Sequence, residues 1–248
     1  GDHRDLHSFP TRRSSDLVRR ILQLIFESPS MQRYDYSNKP DLKAHSAITL
    51  QAATEGMILL KNEANTLPLN QSVKTVATFG ISSYNFIAGG TGSGDVNKAY
   101  TVSLTEGLIN AGYTLDKELE ALYTPYVQKE IDRINELKKE NAFIPISYIE
   151  MDVEKEIIDQ KAISCDIAII TIGRSSGEFA DRTLTQGDYL LTDTEVALIK
   201  NISEAFHAAN KKVVVVLNIG GVIETENWKN MADAILLTWQ AGQAGGNA

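Results

Sequence analysis

One cysteine, four histidines and no long apolar run set the first limits on this 248-residue chain. With Cys165 alone, no internal disulfide can form. Cys165 sits at the mouth of a β-branched run, where a small core residue is the better reading than a nucleophile. His3, His7, His45 and His207 show no metal-ligand spacing, so no metal site is read. No apolar run approaches the roughly 20 residues of a membrane span. Basic charge is also scarce. The formal net charge is -8, and the one local basic pair, Lys138-Lys139, lies among glutamates. Phosphate contacts need clustered Lys and Arg, so a nucleic-acid-binding surface is excluded. What remains is ordinary globular composition, 43% hydrophobic and 23% charged. The length suffices for one large or two modest domains.

The chain divides by composition into three parts. Residues 1–17, GDHRDLHSFPTRRSSDL, resemble an in-frame translation of a common sequencing adapter and are expected to be non-native and unpacked. With the true N-terminus then missing, no targeting signal and no compartment can be read. Residues 18–44 hold VRRILQLIFE, which has the apolar spacing of a helix, and a linker with Pro29, Asn38 and Pro40. From 45 to 248, short apolar runs alternate with amphipathic segments. Strands are expected at Met57–Leu60, Thr75–Phe79, Asp166–Ile172, Val213–Leu217 and Ala234–Leu237. Helices are expected from a Ser46 cap, over Leu104–Ala111, from a Thr124-Pro125 start to Glu140, over Glu154–Ile163, and from the capping box Thr192–Glu195. This alternation predicts an α/β fold with a mostly parallel, doubly wound sheet.

Two loops invite functional reading. Gly89–Gly94 is glycine-rich, but it matches neither the dinucleotide fingerprint nor a P-loop ending. Its backbone and Ser93 could instead approach a small polar ligand, or Ser93 and Asp95 could serve turn chemistry alone. The other loop, GRSSGEFADR, follows the doubly buried Asp166 run. Glu178 therefore lies just beyond the carboxyl end of a strand, the edge where open α/β sheets bind ligands. From position alone it reads either as a solvated loop residue or as a partly desolvated general acid.

Gly-Glu-x-x-Asp-Arg at 177–182, with Gly187-Asp188 and Leu191-Thr-Asp downstream, resembles glycoside hydrolase family 3. The loop GGTGSGD at 89–95, the stretch AATEGMILLKNEANTLPLN and the closing WQAGQAGGN are similar to the same family. The resemblance implies a flavodoxin-like α/β sandwich in which Glu178 is the acid/base and Ser93 contacts the sugar. Asp181 and Arg182 would order the loop through an ion pair or backbone hydrogen bonds. It implies a carbohydrate substrate and neither metal nor organic cofactor. It also implies a fragment: the trailing helix of a barrel domain over 18–44, then a sandwich truncated at its C-terminal end. The nucleophilic Asp would belong to the barrel, and the fragment alone would be inactive. Phe179 stands where many members have Gly, and Ala244 where Glu is common. A nucleotide- or flavin-binding domain, or a non-catalytic sugar-binding or interface module, would have much the same fold.

Overall fold

β-Branched side chains and a near-absence of polar groups make Ile167–Arg174 the central strand of a six-stranded sheet, buried on both faces. The computed structural model describes residues 12–141, 144, 147–178 and 181–248. Phe179 and the segment 1–11 lie outside the described residues. The chain splits after Leu42 into two units. The first contains helix α1 (Arg12–Glu27), which embraces the expected VRRILQLIFE helix and starts within the adapter-like segment. Its side chains from Ser14 to Glu27 are exposed.

The second unit, Lys43–Ala248, carries the sheet. Its elements run α2 (Leu42–Gly56, whose first residue still belongs to the first unit), β1 (Ile58–Asn62), β2 (Thr75–Phe79), α3 (Ile81–Tyr84), α4 (Leu104–Asn110), β3 (Thr114–Leu115) and α5 (Lys117–Glu140). Then follow α6 (Lys155–Ser164), β4 (Ile167–Arg174), α7 (Asp193–Ala208), β5 (Lys212–Ile219) and β6 (Ala234–Leu237). A 3-10 turn, Gly242–Asn247, closes the chain. The strand order is β1-β6-β5-β4-β2-β3, parallel throughout except for edge strand β1, which runs antiparallel to β6.

Alternation along the strands separates two cores. Phe79, Ile170, Ile172, Val215 and Leu217 face one layer, where Tyr123 of α5, Ile158 of α6 and Ile199, Ile202 and Phe206 of α7 cover them. Val76, Ile167, Ile169, Val214 and Val216 face the smaller layer, packed by Leu108 of α4 and by Leu67, Leu69 and Val73. The fold is thus the α/β sandwich that the strand-helix alternation predicts. Cys165 is buried in the larger core, and burial pushes its thiol up to about 11, well away from thiolate chemistry at neutral pH.

Two local expectations shift, and one short strand is added. Helix α5 begins at Lys117 with Asp116 as its cap, rather than at Pro125 with Thr124 as its cap, and Pro125 lies inside it. Asp116 explains this: its carboxylate accepts from the N–H groups of Glu118 and Leu119 at 3.1 and 2.9 Å, a cap strong enough to start the helix two turns earlier. Pro125 cannot donate to the Ala121 carbonyl, yet the helix continues past it. Helix α2 likewise begins at Leu42, so Ser46 sits within it and shares a 2.7 Å hydrogen bond with the Tyr100 hydroxyl. The short strand β3, only Thr114–Leu115, has no signature in the sequence and exists through its pairing with β2.

Asp166 ties the starts of two adjacent strands, since its Oδ2 accepts from the N–H groups of Lys74 and Thr75, both at 2.8 Å. Those hydrogen bonds hold its carboxyl below the usual value of 3.8. A depressed value means the stabilisation is whole above 3.8 and is lost as pH falls through the lower folded-state value. Asp166→Ala should therefore cost about 1 kcal/mol at neutral pH, less than the roughly 1.5–3 kcal/mol of a hydrogen bond to a charged group because solvent screens it. Urea unfolding of both proteins should find the difference vanishing in strong acid.

Candidate functional site at the strand-order switch

The strand order reverses direction between β2 and β4: β3 lies outward of β2, whereas β5 and β6 extend the other way from β4. At such a switch point, loops from neighbouring strands diverge and leave a crevice at the carboxyl edge. The loop after β2 carries Ser93, and the loop after β4 carries Glu178. They meet there. Ser93 Oγ donates a hydrogen bond to Glu178 Oε1, across 85 positions of sequence.

Backbone geometry brings the carboxyl this close. Gly92 has φ +77°, and a Cβ built on it would lie 2.7 Å from Glu178 Oε2 and 2.9 Å from Cδ. Only a glycine permits both the left-handed turn and the carboxyl stacked on it. Gly80, at the end of β2, has φ +89°, and a Cβ there would fall 2.3 Å from the Thr171 carbonyl oxygen. The missing side chain lets the β2 loop leave flush against β4.

Cross-links then fix the loops to one another. Thr91 N–H donates to the Ser176 carbonyl at 2.8 Å. Ser176 Oγ donates to Gln240 Oε1 at 3.0 Å, joining the β4 loop to the one after β6. Asn218, fully buried at the end of β5, holds two loops at once. Its Oδ1 accepts from Ile87 N–H at 2.7 Å, and its Nδ2 donates to the carbonyls of Ile87 and Trp239 at 2.9 and 2.8 Å. Asp95, beyond Ser93, pairs with Lys98 and Lys138, each at 3.3 Å. Burial raises its carboxyl, but the two lysines outweigh that and leave it below the usual range.

The residues expected from sequence separate in their surroundings. Glu178 is exposed on this domain's surface. Arg182 Nη1 donates to Asp188 Oδ1 at 2.8 Å, and its Nη2 donates to the Ser175 carbonyl at 3.4 Å and to the Gly220 carbonyl. Asp181 is exposed and makes no hydrogen bond or ion pair among the described residues; the acid that faces Arg182 is Asp188. Sequence reasoning did not single out Asn218 or Gln240. Asn218 had one available signal, a polar residue ending an apolar strand at the ligand edge just before Gly220-Gly221.

Beneath the loop lies a buried ion pair. Arg174, the last residue of β4, donates from Nη1 and Nη2 to Glu195 Oε1 and Oε2, both at 2.6 Å, and from Nε to the Asp188 carbonyl at 3.1 Å. Glu195 also closes the capping box of α7, accepting from Thr192 N–H at 2.8 Å. Nearby, Glu150 accepts from the N–H groups of Ile81 and Met151, while withdrawal from solvent pushes its carboxyl up to about 7. Among the described residues no His, Cys, Asp or Glu cluster could hold a metal ion. A polar cavity of about 420 Å³ opens among Tyr84, Phe86, Ser103, Glu106, Glu120 and Gln128, but neither Ser93 nor Glu178 lines it. The Glu178 site is instead an open edge.

Glu195→Gln would leave the Arg174 guanidinium buried without its counter-charge. Breaking one side of such a pair costs about 3–5 kcal/mol. Equilibrium urea unfolding should register that loss, and a change below about 1 kcal/mol would mean that Arg174 finds another partner.

The model of the glycosyl hydrolase family 3 C-terminal domain matches residues 57–248. The chain is 32% identical to β-glucosidase A of Butyrivibrio fibrisolvens over 228 residues, covering 82% of this chain and 26% of that protein. It is 34% identical to a β-glucosidase of Ruminococcus albus over 194 residues, covering 77% of this chain and 20% of that one. Among solved structures, β-glucosidase 3B from Thermotoga neapolitana in complex with glucose superposes with a TM-score of 0.78 at 38% identity, covering 94% of this chain and 32% of its own. The chain thus spans about a quarter of the length of these curated relatives. With a family model over most of its length and relatives above 30% identity, this chain belongs to glycoside hydrolase family 3, and residues 57–248 form its C-terminal domain.

Proposed function

We propose that this domain supplies the acid/base half of a retaining β-glycosidase acting on a terminal β-linked glucose or a similar sugar. The contact between Glu178 and Ser93 carries the reading. It sets a proton-transferring carboxyl within hydrogen-bond reach of a hydroxyl on a glycine-rich loop, at the ligand edge of the sheet. The names of the three relatives described above, each a β-glucosidase, and the glucose bound to one of them support glucose as the sugar, while more distant relatives named as arabinopyranosidases support a similar sugar as the alternative.

Retention needs two carboxyl groups about 5–5.5 Å apart, one as nucleophile and one as acid/base. Glu178 protonates the glycosidic oxygen as it leaves, then takes a proton from the water that releases the sugar. Ser93 exchanges its bond to Glu178 for one to a sugar hydroxyl. Arg182 keeps the loop in shape, and Asp181 is assigned with it to the loop rather than to the chemistry. The nucleophile is assigned to an Asp of a barrel domain N-terminal to this one, with residues 18–44 as that domain's trailing helix and linker. An acid active near neutral pH benefits from partial burial. Because Glu178 is exposed on this domain, the barrel packed over the edge would supply that burial. The chemistry is complete with two carboxyls and water, so the reaction proposed needs neither metal nor organic cofactor.

In the intact enzyme, Glu178→Gln should lower turnover of an unactivated alkyl β-glucoside by about 10²–10⁴. Undiminished turnover would remove Glu178 from the acid role. The 248-residue chain by itself should not hydrolyse the same substrate. Hydrolysis by the purified chain, abolished by Glu178→Gln, would overturn the division of carboxyls between two domains.

A further inference from the structure

Building on that reading, we propose that Asp188 is the positioning residue for the acid/base, acting through Arg182 to pin Ser175 and Thr183, on either side of Glu178, to the sheet. The carboxylate of Asp188 is a hub. Oδ1 accepts from Arg182 Nη1 at 2.8 Å, and Oδ2 accepts from the N–H and the hydroxyl of Thr183 at 2.6 and 2.8 Å. Its own carbonyl accepts from Arg174 Nε at 3.1 Å, and Arg174 is clamped bidentate by Glu195. Asp188 is therefore fixed to the frame by its backbone and to the loop by its side chain.

Arg182 makes the link to the sheet. Its Nη2 reaches the carbonyls of Ser175, where the loop departs, and Gly220, where β5 ends. Its side chain is only 14% exposed, and its buried Nε has no acceptor among the described residues. The guanidinium is thus held through Nη1 and Nη2 alone, and Asp188 is its one carboxylate partner among the described residues. A mostly buried cation stays in such a place only while its counter-charge does. Burial raises the Asp188 carboxyl, but the bonds from Thr183 and Arg182 outweigh this and keep it below the usual range. The lock therefore stays charged at neutral pH.

Neither Asp188 nor Arg182 touches the Glu178 carboxyl. What they fix are Ser175 before Glu178 and Arg182 and Thr183 after it, and so the aim of the proton donor. A misaimed acid has a specific signature. It slows departure of a leaving group that needs protonation and spares one that leaves as a stable anion.

The test uses the intact enzyme that carries this domain, with kcat/KM measured on phenyl and on dinitrophenyl β-glucoside. Asp188→Asn keeps the shape and removes the charge. We expect roughly a tenfold or greater loss on the phenyl substrate and about threefold or less on the dinitrophenyl one, a fraction of the full general-acid contribution. Glu178→Gln should show the same selectivity with a larger loss. Equal losses of Asp188→Asn on both substrates, or no loss on either, would overturn the positioning role while leaving a selective Glu178→Gln effect to support the acid/base assignment. A Glu178→Gln variant with no selectivity would overturn that assignment and this proposal with it. Should Asp188→Asn fail to fold, Thr183→Val, which removes one of the carboxylate's donors, carries the test. A smaller loss in the same selective sense is expected, and an unselective change overturns the proposal.

Discussion

Strand β4 is hydrogen-bonded on both edges and buried on both faces, and everything else in the sheet unit is arranged around it. Its pairing with β5 runs through eight successive residues, from Ile167 with Lys212 to Arg174 with Ile219. A strand in that place must be apolar on both sides, because no water reaches its faces and its N–H and C=O groups are already paired. The constraint ends where β4 ends. At Arg174 the chain meets the carboxyl edge, and polar chemistry becomes possible within a few residues of the core.

The transition from core to site is handled by ion pairs rather than by solvent. Arg174 is buried, yet both of its terminal nitrogens meet Glu195, which in turn caps α7. One carboxylate thereby fixes a strand end, starts a helix and answers a buried charge. A second pair, Arg182 with Asp188, repeats the device one layer further out. The fully buried pair, Arg174 with Glu195, contributes little net stability over an apolar replacement, but it defines geometry closely, since losing either partner is costly. Asn218 does similar work without charge, using three hydrogen bonds to hold the loops after β2 and β6. The opposite edge of the sheet carries its own anchors. Asp233 there accepts from Val213 N–H, Lys212 and His207, which gives His207 a structural task.

These fixtures converge on a site that is polar, open and one-sided. The glycines that admit Glu178 to Ser93 leave the carboxyl standing on the surface. Such an arrangement suits a domain that contributes one wall of a larger cleft, which is the role we propose. The chain's span of about a quarter of its relatives agrees with that role.

Much of this was legible in the residues themselves. Runs such as Ile167–Ile172 and Val213–Leu217 can satisfy their composition only as buried strands, and Thr192–Glu195 announces a helix start by reciprocal hydrogen bonds that need no distant partner. Glycine-rich loops after strands mark where the backbone must bend sharply. Sequence did not disclose the start of α5, because a side-chain cap at Asp116 outweighs a signal at Thr124-Pro125 about two turns further on. Nor did it show β3, which two residues form only because β2 lies beside them. It could pair neither Arg182 with Asp188 nor Ser93 with Glu178. Those partners stand 6 and 85 positions apart, and only the reversal of strand order between β2 and β4 brings the second pair together. Local patterning determined which segments are strands, helices and loops. The tertiary structure decided which loops meet, because a contact between distant segments is a property of the sheet's order and not of either segment alone.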